Sequence, residues 1–349
     1  MRRTFVAVCS LLSCISYASG FEIDGVVEVQ ISPTKPTANA KPLIFELPHY
    51  KLSPQALQSL KNNLADYQKY GTTYGIQPVD LPSHANVGMH GTPVLNQGKH
   101  GSCVTFAITG AINATLEAGD YISQLCNLEL GSQLAIDGKQ RFSGWNGNYG
   151  TLVLQQIDQY GIISQNYQKL NGCAGVKEYP ILDRENLGSP MSETEFTEHS
   201  IPVNNLYSWE ILFFNEGWLV PNSDMNSLII KVKQELSKGN LLTFGVLLDT
   251  KLGHAGAAGQ NHVLNDTWML TPQIVMDSMH NSIDAGHDMV ITGYDDNAIV
   301  AAEDGTTNHG IFFLRNSWSS LAGDNGNYYV SYDYFKFLTQ EIHLFKLKK

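Results

Sequence analysis

The chain has 349 residues, 43% of them hydrophobic and only 16% charged, with a formal net charge of −11. It can bury a large core in one domain or two, and without a run of like charges it is no disordered acidic or basic tail. The negative balance argues against a broad nucleic-acid footprint and reads simply as solubility.

Residues 1–20, "MRRTFVAVCSLLSCISYASG", place two arginines before a short apolar run that ends in small residues. This is the pattern of a secretory signal peptide, with cleavage before Phe21 or two residues earlier. "LLSC", ending at Cys14, loosely matches a lipoprotein box, but Leu12 fits it poorly. Export without an anchor is the expectation: a secreted protein, in the periplasm in transit if the cell is Gram-negative. No later segment is apolar for long enough to span a bilayer.

Residues 21–84 read as a separate piece. "FEIDGVVEVQI" and "PLIFELP" are strand-like and joined by a Pro- and Thr-rich stretch, so a hairpin is expected. Ser53 offers an N-cap before Pro54, and Leu57, Leu60, Leu64 and Tyr67 follow at helical spacing through about Tyr70. A hairpin and one helix bury little alone, so this piece should lie on something larger.

From residue 85 onward, a helix should begin at Ser102 or Cys103 and run to about Ala118, small or apolar on most sides and therefore interior. Another should span Thr151 to Tyr160 and stop at Gly161. Residues 177–224 read as an irregular insertion, with nine acids against two bases. A helix from about Met225 to Lys238 leads into "LLTFGVLL", and "MVITGY", "IFFLRNSW" and "NYYVSY" read as strands between turn-rich loops. Helices first and strands later imply an α+β chain of two lobes.

Three cysteines remain after the leader: Cys103, Cys126 and Cys173. In an oxidising compartment an odd count suggests one bridge and one free thiol. A Cys126–Cys173 bridge would add roughly 3–4 kcal/mol in the chain-entropy model and leave Cys103 over. Cys103 stands at a helix start, where unpaired N–H groups and the helix dipole favour a thiolate. Gln97, behind Gly98 and Gly101 in "NQGKHGSC", could fold back as a side-chain oxyanion donor beside the Cys103 N–H.

"QGKHGSCVTFA" resembles the nucleophile loop of the papain and cathepsin family of cysteine peptidases. "TPVLNQG" resembles its lead-in, and "GWNGNYGTLVLQQIDQYGI" its cleft loop and following helix. "GHDMVITGYDDN" resembles its histidine strand, and "FFLRNSWSSLAGDNGNYYV" its asparagine strand. The four blocks stand in the family's order and cover much of residues 92–330. The resemblance implies a two-lobed fold, a helical lobe and a β-barrel-like lobe, preceded by a hairpin-plus-helix pro-segment. It implies Cys103 as nucleophile, His287 as general base and then acid, Asn316 orienting the imidazole, and Gln97 completing the oxyanion hole. Gly147, Asn148, Asp288 and Trp318 would border the substrate.

The chain departs from the family at several places. A usual cysteine pair reads His100 and Trp145, and Trp145 should pack where that bridge would run. Two usual tryptophans read Val104 and Ala322, and the cleft loop's second glycine reads Asn148. The normally small residue after the histidine is Asp288, implying a pocket that accepts polar or basic side chains, unless Asp288 points away. The 184 positions from Cys103 to His287 exceed the roughly 130–150 of the family signature.

The resulting expectation is a secreted cysteine endopeptidase of bacterial look, made as a zymogen. It would act on protein or peptide substrates, with residues 21–84 as intramolecular inhibitor and residues 85–349 as catalytic domain. The alternatives are an acyltransferase or transglutaminase-like enzyme, and a non-catalytic binding module on the same scaffold. No cofactor is expected. His254, His262 and His280 show no metal-ligand spacing, and no phosphate-binding loop or dinucleotide fingerprint is present.

Overall fold

The computed structural model describes residues 20–34, 41–70, 80–184, 187–215 and 222–348. The leader expected at 1–20 lies outside them but for Gly20, as does the stretch 71–79 of the expected pro-segment. Among the described residues no helix is long and apolar enough to cross a membrane.

Two strands open the described chain, β1 (Phe21–Ile31) and β2 (Leu43–Leu52), paired antiparallel as the expected hairpin. Helix α1 (Pro54–Tyr70) follows, its first turn capped by Ser53 Oγ, which accepts from Ala56 N at 3.1 Å. Leu60 and Leu64 of its apolar stripe are buried, joining the core that also holds Phe45 and Leu47 of β2. Strand β3 (His84–Asn86) pairs with residues 293–295 of the main sheet. The boundary drawn at residue 84 therefore cuts through a strand.

The helical lobe comes next: α2 (Cys103–Thr115), α3 (Gln124–Ile136), α4 (Gly150–Tyr160), α5 (Gln165–Asn171) and α6 (Glu193–His199). Helix α2 is buried from Cys103 through Ala114, because Ala107, Gly110, Ala111 and Ala114 allow close approach from several sides. It ends three residues before the expected stop, where Glu117 turns to positive φ. Cys126 on α3 and Cys173 form a disulfide.

The stretch 177–224 is not irregular. It carries α6 and β4 (Tyr207–Phe214), and β4 forms one edge of the large sheet. Glu210 of β4 is exposed while Tyr207 is buried, and the acids of the stretch hid the strand from a reading by composition.

The remaining elements are α7 (Asn222–Ser237), β5 (Leu241–Leu248), β6 (Gly259–Gln260), β7 (Thr267–Trp268), α8 (Pro272–Met279), β8 (Ala285–Ala302), β9 (Thr307–Arg315), β10 (Asn327–Ser331), α9 (Tyr332–Leu338) and β11 (Thr339–Leu347). The sheet runs β4-β11-β5-β8-β6-β7-β10-β9, and β9 also pairs with β8, closing the second half into a barrel. The fold is α+β. Long β8 belongs to both halves, and α2 packs its cluster against Val290 of β8 and Leu241 of β5. Any group on β8 near its start thus meets the N-terminus of α2.

Candidate active site

The first turn of α2 brings no side-chain cap of its own, since Ser102 Oγ lies 3.0 Å from Tyr179 OH instead. Cys103 is fully buried and is the free cysteine among the described residues. The nearby backbone of Asp288, Val104 and Cys103 itself favours the thiolate. Burial outweighs this and, with the Asp288 carboxyl nearby, pushes the thiol up to about 12. The nearby Asp288 backbone places the sulfur beside β8, one residue beyond His287.

His287 and Asn316 come together. His287 Nε2 lies 2.8 Å from Asn316 Oδ1, and Trp318 stacks on the imidazole at 4.6 Å between ring centroids. The tryptophan shuts water away from that hydrogen bond. Nδ1, the other ring nitrogen, is buried and has no partner among the described residues. Burial lowers the imidazole to about 4, against the raising effect of Asn316.

Gln97 is fully buried and stitched to the asparagine segment. Its Oε1 accepts from Ser317 Oγ at 2.8 Å, and its backbone N–H donates to Ser317 O at 2.9 Å. Nε2 gives one of its two N–H groups to His100 O at 2.8 Å, leaving one donor. Gly98 is required here: φ is +59°, and a Cβ would overlap the Ile181 carbonyl.

Tyr179 was missed by sequence reasoning, because it lies in the acidic stretch. Its OH donates to Gln97 O at 2.9 Å, and its ring stacks on Trp145 at 5.7 Å. His100 meets Trp145 edge-on at 5.0 Å and Pro180 O at 2.7 Å, so the two positions of the missing cysteine pair touch through their rings. Ser317 was visible in the asparagine block, but nothing there gave it a role.

Of the residues expected to border substrate, Gly147 takes positive φ at 116° and Asn148 does not, so left-handed geometry falls on the glycine. Asn148 is buried, with Oδ1 accepting from Tyr149 N at 2.9 Å. Asp288 is buried and faces inward, not away: a Cβ on Gly245 would lie 3.2 Å from its Oδ2 and 2.8 Å from Glu341 Cγ. Burial and the neighbouring Glu341 raise the Asp288 carboxyl well above its usual range, and burial lifts Glu341 to about 7. Glu341 gave no signal in the sequence.

Strand β2 lies over this site. Glu46 N donates to Lys99 O at 2.6 Å, and Tyr50 N to Asp284 O at 2.7 Å. Phe45 stacks on Trp318 at 5.2 Å, and a Cβ on Gly147 would lie 2.8 Å from Pro48. Tyr50 packs on Gly286, where a Cβ would overlap its ring, and its hydroxyl feels the charges of Glu341, Asp288 and Cys103. Residues 45–50 thus cross from the nucleophile loop to the start of β8.

No protein-family model and no curated protein matches the chain. Solved structures do. The chain is similar to xylellain, a cysteine protease from Xylella fastidiosa, at 17% identity and TM-score 0.48 over 77% of this chain and 87% of that one. It is similar to digestive procathepsin L 3 of the Tenebrio molitor larval midgut, at 15% identity and TM-score 0.46 over 83% and 79%. A third is the proform of Amb a 11, a cysteine protease and ragweed pollen allergen, at 14% identity and TM-score 0.45 over 83% and 74%.

Proposed function

We propose that this chain is a papain-like cysteine peptidase made as a zymogen, hydrolysing peptide bonds with Cys103, His287, Asn316 and Gln97. The observation that carries the reading is the His287–Asn316 hydrogen bond at 2.8 Å, roofed by Trp318, with the buried Cys103 thiol near the backbone of Asp288, the next residue along β8.

In this reading His287 takes the thiol proton as the sulfur attacks the carbonyl carbon of a peptide. The oxyanion is held by the Cys103 N–H and the free N–H of Gln97. The C–N bond then breaks, His287 returns the proton to the departing amine, and water cleaves the thioester. Asn316 keeps Nε2 engaged so that the other nitrogen serves the sulfur.

The covered cleft accounts for latency. With the thiol at about 12 and the imidazole at about 4, the proton stays on sulfur while β2 excludes water. Residues 21–84 are then an inhibitory pro-segment, and their removal rehydrates the pair and restores ordinary acidity. Export of the chain rests on the pattern of residues 1–20.

The test uses chain lacking residues 1–20, an epoxide that alkylates activated thiols, and a fluorogenic peptide, before and after limited proteolysis of the N-terminal segment. Labelling at Cys103 and peptide hydrolysis should appear together after cleavage and vanish in Cys103→Ala. A folded, processed chain whose Cys103 stays inert would overturn the reading in favour of a binding scaffold. Transfer of the acyl group to an added amine in place of water would favour the acyltransferase alternative.

A further inference from the structure

Outside the cleft, the barrel carries a cavity of about 420 Å³ between β3, β8, β9 and the loop before β7. Arg315, the last residue of β9, reaches into it. The guanidinium donates through Nε to Asn327 Oδ1 at 2.9 Å and through Nη1 to Thr92 O at 3.4 Å. Both partners are neutral, and three of its five N–H groups are left over. Among the described residues no carboxylate comes within ion-pair distance of it. Arginine cannot shed its proton, so a partly buried positive charge stands without a counter-charge, an expensive arrangement unless an anion completes it.

The other walls fit the same ligand. Phe313 and Tyr329 meet edge-to-face at 5.8 Å and give an aromatic corner against which a flat ring can lie. His84 and His262 add imidazoles. The acids nearby are already engaged: Asp295 lies 3.7 Å from His84 Nδ1, and Asp324 accepts from His262 and Tyr329 at 2.8 and 2.9 Å.

We propose that this cavity is a second binding site, distinct from the thiol cleft, for an oxyanion carried on a flat apolar group, with the Arg315 fork gripping the anion and Phe313 and Tyr329 the body. A carboxylate and a phosphate offer the fork the same pair of oxygens. The site does not depend on the proposed peptidase activity. Arg315 adjoins Asn316 in sequence, so occupancy has a short route to the histidine's partner.

The experiment titrates phenylacetate, phenyl phosphate and neutral phenylacetamide into the intact Cys103→Ala chain by calorimetry, following the His84 and His262 ring resonances by NMR. At least one anion should bind saturably and shift both rings, phenylacetamide should do neither, and Arg315→Gln should weaken binding about tenfold or more. Binding of the phosphate alone, or of the carboxylate alone, identifies the natural anion. The proposal fails if neither anion binds, if the amide binds equally well, or if the two rings do not respond. Should Arg315→Gln not fold, the ring shifts in the parent chain decide alone.

Discussion

The Asp288 and Glu341 side chains flank Gly245 across three adjacent strands, Asp288 on β8 and Glu341 on β11. Burial raises both carboxyls, and the Glu341 charge raises Asp288 in addition. Glu341 Oε1 accepts from Gly150 N at 2.9 Å, while Oε2 has no hydrogen-bond partner. A cationic substrate side chain entering where Tyr50 now packs would restore ionisation and gain a charge-assisted hydrogen bond. The processed enzyme should therefore prefer arginine or lysine over leucine at this position. That preference should grow as rising pH takes the protons from the two carboxyls. Glu341→Gln should cut the arginine-to-leucine ratio of kcat/KM about tenfold, a difference of ~1.4 kcal/mol, and flatten its pH dependence. A library profile that stays strictly apolar between pH 5 and 8 would remove this role.

Which site residues were legible follows from how their chemistry is written. Cys103, Gln97, His287 and Asn316, the residues of the proposed mechanism, stand in short blocks that could be read from the sequence. Tyr179, Glu341 and Tyr50 do not. Each acts by a contact made only in three dimensions, as when Tyr179 reaches back 82 positions to the Gln97 carbonyl.

At the scale of elements, the proposed latency rests on the hairpin. Its Tyr50 and Phe45 rings occupy both ends of the covered stretch, one on Gly286 and one on Trp318, with main-chain hydrogen bonds from Glu46 and Tyr50 holding the strand down. Removing both rings leaves those main-chain bonds but takes away the apolar seals, worth roughly 3–5 kcal/mol each when fully buried. In the unprocessed chain, the Phe45→Ala, Tyr50→Ala double variant should label at Cys103 at least about tenfold faster with the epoxide, since ~1.4 kcal/mol of opening suffices for that. Unchanged labelling, with the fold intact by circular dichroism, would put the seal elsewhere. Helix α1 was plain in the sequence because a cap and a four-residue stripe coincide. The barrel-like lobe was expected from the resemblance alone, because β6 and β7 are two residues each and leave no period to read.

For the whole molecule, buried groups of both signs set a stability optimum on the acid side of neutrality. Burial pushes Glu129 and Glu341 up to about 7, and burial with the neighbouring Glu341 raises Asp288 well above its usual range. Between pH 6.5 and 8 the unfolded chain has already lost these protons, near pH 4, whereas the folded chain still holds them. The folded state then binds more protons, so stability falls as pH rises through this window. The histidines act in the opposite sense. His287 and His343 are lowered to about 4 by burial, so from about 6.5 down to 4 the unfolded chain binds the extra protons and stability falls as pH drops. In that lower range the histidines offset part of the carboxyl effect, and above pH 6.5 the loss carried by Glu129 and Glu341 continues. It should amount to about 1–2 kcal/mol between pH 6.5 and 8. For a chain of this size that is a Tm several degrees lower at pH 8, on the order of 2–4 °C per kcal/mol. Calorimetric scans of the unprocessed chain at half-unit steps check this, and Glu341→Gln should flatten the slope. A Tm that rises steadily from pH 6.5 to 8 would mean that these carboxyls are already ionised in the folded chain.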